Sequence, residues 1–382
     1  MVKNHEETTQ DDGGWTTVSR KNPKKKSNEM LFEIKGPATS EVSVNFVVEK
    51  CSDAVVQRDV VTGNLNIKVL ESSEDAKLLP DKVHIFNENM LTVKHFRLSP
   101  ITPKVEPKKI IFDILIALSK TTEPARPLDT IVRNSSIVAS RGALHFLASS
   151  LHNSEEYIKL LCCYYKEKLF IIRIDEDIAD NHKFSDGKTY KENKSHGAAL
   201  EKAVVTSPKK VIHYVQTVVK LGNKKIFVNG EIDCVSKQSE QIEVKCKKGG
   251  LHSETMWNRC SGEWFMQAAL VGTKYIVVGE LEEDETISSL EMIKTAELES
   301  KQKQFWKGRL WNGNQWKKGA LFDHLSNILD VIMTRAKENP MKVLTIEKKK
   351  KEKKFYLISV SDSDDMSAIF ASDFLEHFNN LQ

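Results

Sequence analysis

Two short stretches, Gly230-Glu231-Ile232-Asp233-Cys234 and Ile242-Glu243-Val244-Lys245-Cys246, alternate charged and apolar residues. That period of two predicts strands with one face buried and the other turned to a cleft. Glu231 and Asp233 are expected to project together, as are Glu243 and Lys245, with Ile232 and Val244 anchoring the opposite faces. Similar alternation predicts strands at 42–47, 91–96, 157–165, 169–175, 275–281, 286–293, 341–346 and 355–360. Residues 211–221 and 225–236 read as a hairpin about Gly222-Asn223, and 241–247 as a short strand. Helical spacing covers 109–120, 140–151 with Ser140 as its cap, 196–206, 254–270 and 319–337, with a last short helix near Asp373. In 319–337, Leu321, Leu325, Ile328, Leu329 and Ile332 share one face. No internal repeat is visible. The fold class is α/β in the mixed α+β sense, with central mixed sheets flanked by helices.

The first 28 residues lack large apolar positions and read as a disordered polar and basic tail. Lys24-Lys25-Lys26 in it reads equally as a nuclear address, an RNA-attracting tail or a solvated charge run. Residues 29–382 read as one domain. Its parts are a β-rich 29–107, a core at 108–340 that holds the site, and a C-terminal hairpin and helix at 341–382. Pro100, Pro103 and Pro107 stiffen one connection, and the lysine run 348–354 reads as an exposed hairpin tip.

At 382 residues and 40% hydrophobic content the chain has ample material for a core. A net charge of +4 is too small to argue for a nucleic-acid partner, so clustering must carry that case. No apolar run is long enough to span a bilayer, and the N-terminus has no secretory h-region. The six cysteines lack Cys-x-x-Cys spacing, which predicts reduced thiols, a nuclear or cytoplasmic location, and no zinc framework.

Three carboxylates and an ammonium on neighbouring strands are costly to assemble without a cation. Magnesium or manganese, in a two-ion arrangement, suits such oxygen ligands and shares its shell with substrate phosphates. The spacing Asp233-x9-Glu243-x-Lys245 also fits plain alternating surface charge on a ribbon. Further residues favour the site. Gly197 to Glu201 places a fourth acid on a helix, Gln267 stands among Trp264, Phe265, Met266, Ala268 and Ala269, and Arg141 opens a helix whose N–H groups suit a phosphate.

Taken in order, Ser140-Arg141-Gly142, Gly197 to Glu201, Glu231 to Cys234, Glu243 to Cys246 and Glu263 to Leu270 resemble the DXO-type decapping exoribonucleases. The family's patterns there are W-R-G, G-x-x-x-E, G-E-x-D-C, E-L-K-T and K-W-W-x-Q-S-F-L. The likeness is specific between about 130 and 281 and poor before 109. It implies a nuclease core of the D-x(n)-E-x-K type that removes incomplete or non-standard RNA 5′ caps, including nicotinamide dinucleotide caps, and digests RNA from 5′ to 3′. It further implies that Glu201, Glu231, Asp233, Glu243 and the carbonyl of Val244 hold magnesium or manganese. Lys245 and Gln267 would position the scissile phosphate and the attacking water, and Arg141 and Gly142 the RNA backbone near its 5′ end. Glu201 and Glu231 would border the substrate as well. The implied partner is an RNA 5′ end, capped, triphosphate or monophosphate, with an exoribonuclease as a second possible partner and no membrane. Three positions depart from the pattern: Ser140 stands for tryptophan, Glu263 for lysine and Cys246 for threonine. The competing readings are a weakly active RNA-binding protein that stabilises a separate exoribonuclease, and a DNA-cleaving nuclease with the same site.

Overall fold

The computed structural model describes residues 29–35, 44–59, 64–72, 79–99, 109–153, 156–173, 190–206, 211–309, 315–362 and 365–381. The polar tail through residue 28, the three prolines at 100, 103 and 107, and the ends of two expected strands at 42–43 and 174–175 lie outside them.

Two sheets organise the described residues. The larger runs, edge to edge, β1 (Glu29–Glu33), β15 (Lys354–Val360), β14 (Val343–Lys348), β6 (Ile158–Tyr165), β7 (Lys168–Arg173), β5 (Ile137–Ser140), β9 (Lys224–Ile232), β8 (Ile212–Leu221), β2 (Phe46–Arg58) and β3 (Leu65–Leu70). The smaller runs β10 (Cys234–Val235), β11 (Gln241–Lys248), β12 (Tyr275–Leu281), β13 (Thr286–Lys294) and β4 (Phe96–Arg97). Only β5 with its two neighbours, and β11 with β12, pair in parallel. Parallel neighbours require a crossover. For β11 and β12 that crossover is the helix Ser261–Ala269, which brings Gln267 back over β11.

The expected hairpin is present, with Leu221 opposite Lys224 across Gly222-Asn223. One core joins a face of each sheet through the helices Arg141–Ser149, Ser261–Ala269 and Lys318–Glu338. The expected apolar face of the last helix, from Leu321 to Ile332, is fully buried there. Each such side chain stabilises by about 1.5–3 kcal/mol, so tertiary packing decides this helix. The other face of the large sheet is covered by Ile110–Ser119 and Ser372–Asn380, whose Phe112, Phe374 and Phe378 cluster with Phe170 and with Phe370 just before the second helix. The small sheet's second face packs on the helix Tyr190–Ala203. Among the described residues no helix is long and apolar enough to cross a membrane.

Four expectations need correction. The strand expected at 225–236 is two strands: β9 ends at Ile232, Asp233 forms a bend, and β10 continues in the other sheet. Alternation runs unbroken from Glu231 through Cys234, across the bend at Asp233, so the pattern hides the change of sheet. The strand expected at 91–96 opens in the last two residues of the 3-10 helix Glu88–Thr92, capped by Asn87, and then runs irregular, with only Phe96 and Arg97 paired. The helix expected at 254–270 begins as a π-helical turn, Met256–Cys260, before Ser261–Ala269. Its released Trp257 carbonyl accepts from Ser261 Oγ at 2.9 Å and Gln302 Nε2 at 2.8 Å. Finally, Lys348 is not part of an exposed tip. It is fully buried, and its ammonium donates to the Glu156 carbonyl at 2.7 Å.

Candidate active site at the seam of the two sheets

The alternation of β11 sorts its side chains as expected. Ile242 and Val244 are buried against the helix Tyr190–Ala203, and Glu243 and Lys245 share the opposite face. Glu243 is the centre of the site, with 1% of its side chain exposed. Its Oε2 accepts from Arg141 NH1 at 2.7 Å. Its Oε1 accepts from Lys245 Nζ at 2.6 Å and Gln267 Nε2 at 2.7 Å. Burial pushes the Glu243 carboxyl up, but the Arg141 and Lys245 charges outweigh it and hold it below the usual range. The amide predicted to need a partner inside its apolar helix finds it in this carboxylate.

Arg141 arrives from a different element. Ser140 caps its helix, accepting from the Ala143 N–H at 3.3 Å, and β5 aligns Ser140 with Asn229 on β9. The arginine stem then crosses β9 at Gly230. A Cβ there would lie 2.9 Å from Arg141 Cδ and 2.6 Å from Val271 Cγ1, so glycine is what admits the crossing. The expected phosphate grip of Arg141 is therefore combined with a buried bond to Glu243. No atom lies within 4 Å of where a Cβ on Gly142 would stand, so the backbone beside it is open.

Glu231 is the penultimate residue of β9, and Asp233 sits in the bend that carries the chain into the small sheet. The two do not share a continuous strand as expected. Asp233 Oδ2 accepts from the Val244 N–H at 2.7 Å. Desolvation, followed by the charges of Glu243 and Glu201, pushes the Asp233 carboxyl well above the usual range. Glu201 stands near the end of the helix Tyr190–Ala203, and Glu231 acts on the Arg141 charge. That helix seats closely because β12 offers Gly279, where a Cβ would fall 2.6 Å from Leu200.

The site residues named from sequence thus lie on five elements that meet at one seam. Glu201, Glu231, Asp233 and Glu243 act on one another or on shared cations, with Arg141 and Lys245 among them. Among the described residues no three acidic, histidine or cysteine side chains are drawn together into a finished metal cage. The residues nonetheless fit a cation: four acids gather around two basic groups, and the raised Asp233 carboxyl carries the effect. Sequence reasoning missed His145, Arg173 and Glu156. His145 Nε2 lies 3.7 Å from Glu263 Oε1, and Arg173 lies over the Phe146 ring and 3.3 Å from Glu156 Oε1. No local signal marks these pairs, which form only through long-range packing.

Residues 101–375 match the model of the RAI1-like PD-(D/E)XK nucleases. The chain belongs to that family. The spacing Asp233-x9-Glu243-x-Lys245 lies within the matched residues. The decapping nuclease dom-3 of Caenorhabditis elegans is 23% identical over 330 residues, 80% of this chain and 77% of the relative. Scheffersomyces stipitis Rai1, solved with (3′-NADP)+ and a calcium ion, superposes with a TM-score of 0.67 at 14% identity, covering 92% of this chain and 98% of that one. Candida albicans Rai1, solved with pU5 and Mn2+, gives 0.66 at 14% identity, covering 93% and 100%. These family members share the mixed two-sheet fold.

Proposed function

We propose that the chain is a metal-dependent RNA 5′-end decapping nuclease. It hydrolyses incomplete or non-standard caps, nicotinamide dinucleotide caps among them, and degrades the exposed RNA from 5′ to 3′. One observation carries this reading. The buried Glu243 is held by Arg141, Lys245 and Gln267 beside a second, half-buried acid, Asp233, in a chain that belongs to a nuclease family. The decapping activity named for the C. elegans relative supports it, as do the RNA oligomer and dinucleotide ligands of the two fungal proteins.

In this reading Glu201, Glu231, Asp233, Glu243 and the Val244 carbonyl hold two magnesium or manganese ions. Such ions supply Lewis-acid stabilisation of the charge that builds on phosphoryl oxygens. The chain's own groups do the rest. Lys245 presents a point charge to the scissile phosphate, and its bond to Glu243 fixes the ammonium in place. Gln267 orients the attacking water through its amide. Arg141 carries five N–H donors, so its bond to Glu243 leaves it able to grip an RNA phosphate near the open backbone at Gly142.

The test is a panel of RNAs with nicotinamide dinucleotide, unmethylated guanosine, triphosphate and monophosphate 5′ ends, incubated with Mg2+ or Mn2+ and resolved by mass. Release of a cap-derived product or of nucleotides from the 5′ end is expected. Intact RNA in every lane would overturn the reading.

A further inference from the structure

The acid at 263 has no part in the chemistry above, yet it stands beside the groups that perform it. Trp264, Phe265, Met266 and Ala268 are buried and fix the rotation of their helix. Glu263 and Gln267, four residues apart, therefore lie one turn apart on a common face. The Glu263 side chain is 23% exposed, and its charge is felt by Lys245. It is held on its other side by His145, whose Nδ1 lies 3.2 Å from the Arg141 carbonyl. Burial pushes the His145 imidazole below its ordinary value, so at neutral pH it contributes a contact without a compensating charge. Arg173 is the other nearby cation, and Glu156 shares it. The Glu263 carboxyl is pushed up by burial but held below the usual range by His145 and then by the Lys245 and Arg173 charges.

A fixed negative charge thus stands one helical turn from Gln267, within electrostatic reach of the Lys245 ammonium. We propose that Glu263 is a specificity-determining residue that makes the site discriminate against RNA 5′ ends bearing a triphosphate, favouring ends with less phosphate charge. The inference rests on the proposed RNA 5′-end function. Its mechanism is rejection by a repulsive element rather than selection by a new contact. Each added phosphate brought near this carboxylate is opposed by Coulomb repulsion, which a partly buried setting screens less than water does.

The experiment measures binding separately from cleavage. One RNA oligomer with a 5′-mono-, di- or triphosphate is titrated with the full chain in Ca2+. The wild-type protein should bind the triphosphate RNA no more tightly than the monophosphate RNA. Glu263→Gln should tighten triphosphate binding about tenfold relative to monophosphate, equivalent to ~1.4 kcal/mol, and Glu263→Lys should tighten it further. A triphosphate-to-monophosphate ratio that is the same in all three proteins would overturn the inference. So would a wild-type preference for triphosphate of tenfold or more, an arm that needs no variant to fold. Discrimination in binding with no cleavage of any of these RNAs supports this inference while sinking the nuclease activity.

Discussion

The molecule buries two carboxylates beside basic partners in two places, and the places differ in balance. On the large sheet, Asp53 is 2% exposed and meets His213 Nε2 at 2.8 Å and Lys50 Nζ at 2.7 Å. Nearby, Ser52 donates to Gln216, and Gln216 to Asn229, at 2.7 and 2.8 Å, so most of the interior polar groups there are paired, His213 Nδ1 excepted. At the seam, Glu243 has equally short bonds to Arg141 and Lys245, but Asp233 acts on the same two cations, Glu231 on Arg141, and Glu201 on Asp233. The first region holds one acid with two basic partners; the second holds four acids with two. Burial of charge is common to both, so burial alone does not mark function. The surplus does, because it is what an added cation relieves.

Breaking the surplus should have the largest effect. Joint substitution of Glu231→Ala and Asp233→Ala is expected to lower product release by about a thousandfold or more, since several kcal/mol of metal-based stabilisation would go. Circular dichroism and melting should remain close to wild type. Unchanged turnover would remove these acids from the site.

Breaking the balanced pair should act on stability instead. Asp53→Asn leaves His213 and Lys50 without their anion and is expected to cost ~3–5 kcal/mol in a denaturant titration. The Asp53 carboxyl is pushed up by burial, but His213 and Lys50 outweigh that and hold it below the usual range. A depressed folded value means that its contribution is present above the unfolded value of 3.8 and is lost as pH falls below it. The wild-type acid transition should therefore be steepened by this residue and flattened in the variant. A variant with the wild-type pH profile would show that the pair contributes nothing.

Lys245→Ala sharpens the comparison within the seam. Turnover should fall about a hundredfold, as when one charge-stabilising donor is removed, while calorimetric Mn2+ binding persists. Loss of metal binding instead would make the lysine a structural counter-ion. The smallest effect is expected at Gly230→Ala. A methyl 2.6 Å from Val271 and 2.9 Å from Arg141 must displace one of them, costing ~1–3 kcal/mol and lowering activity through the arginine. A melting temperature equal to wild type would show that the stem moves aside freely.

Much of this was legible in the chain. The period-two pattern of β11 and the single amide in the apolar run around Gln267 placed those side chains correctly before any coordinates. What stayed hidden needed partners distant in sequence. Nothing between Glu231 and Cys234 signals that the chain passes from one sheet to another, because Ile232 and Cys234 are buried on either side of the bend. Lys348 belongs to a run that reads as solvated, and its bond to the Glu156 carbonyl, 192 residues away, could not be read from the run itself. His145 and Glu263 likewise meet across two helices that share no local pattern.

The π-helical turn at Met256–Cys260 works as a rotational offset for everything that follows it. An α-helix advances about 100° per residue, so deleting one residue from that turn would swing the Gln267 amide away from Glu243 without altering either side chain. The phase of the crossover, as much as the identity of its residues, is what aims this helix at the seam.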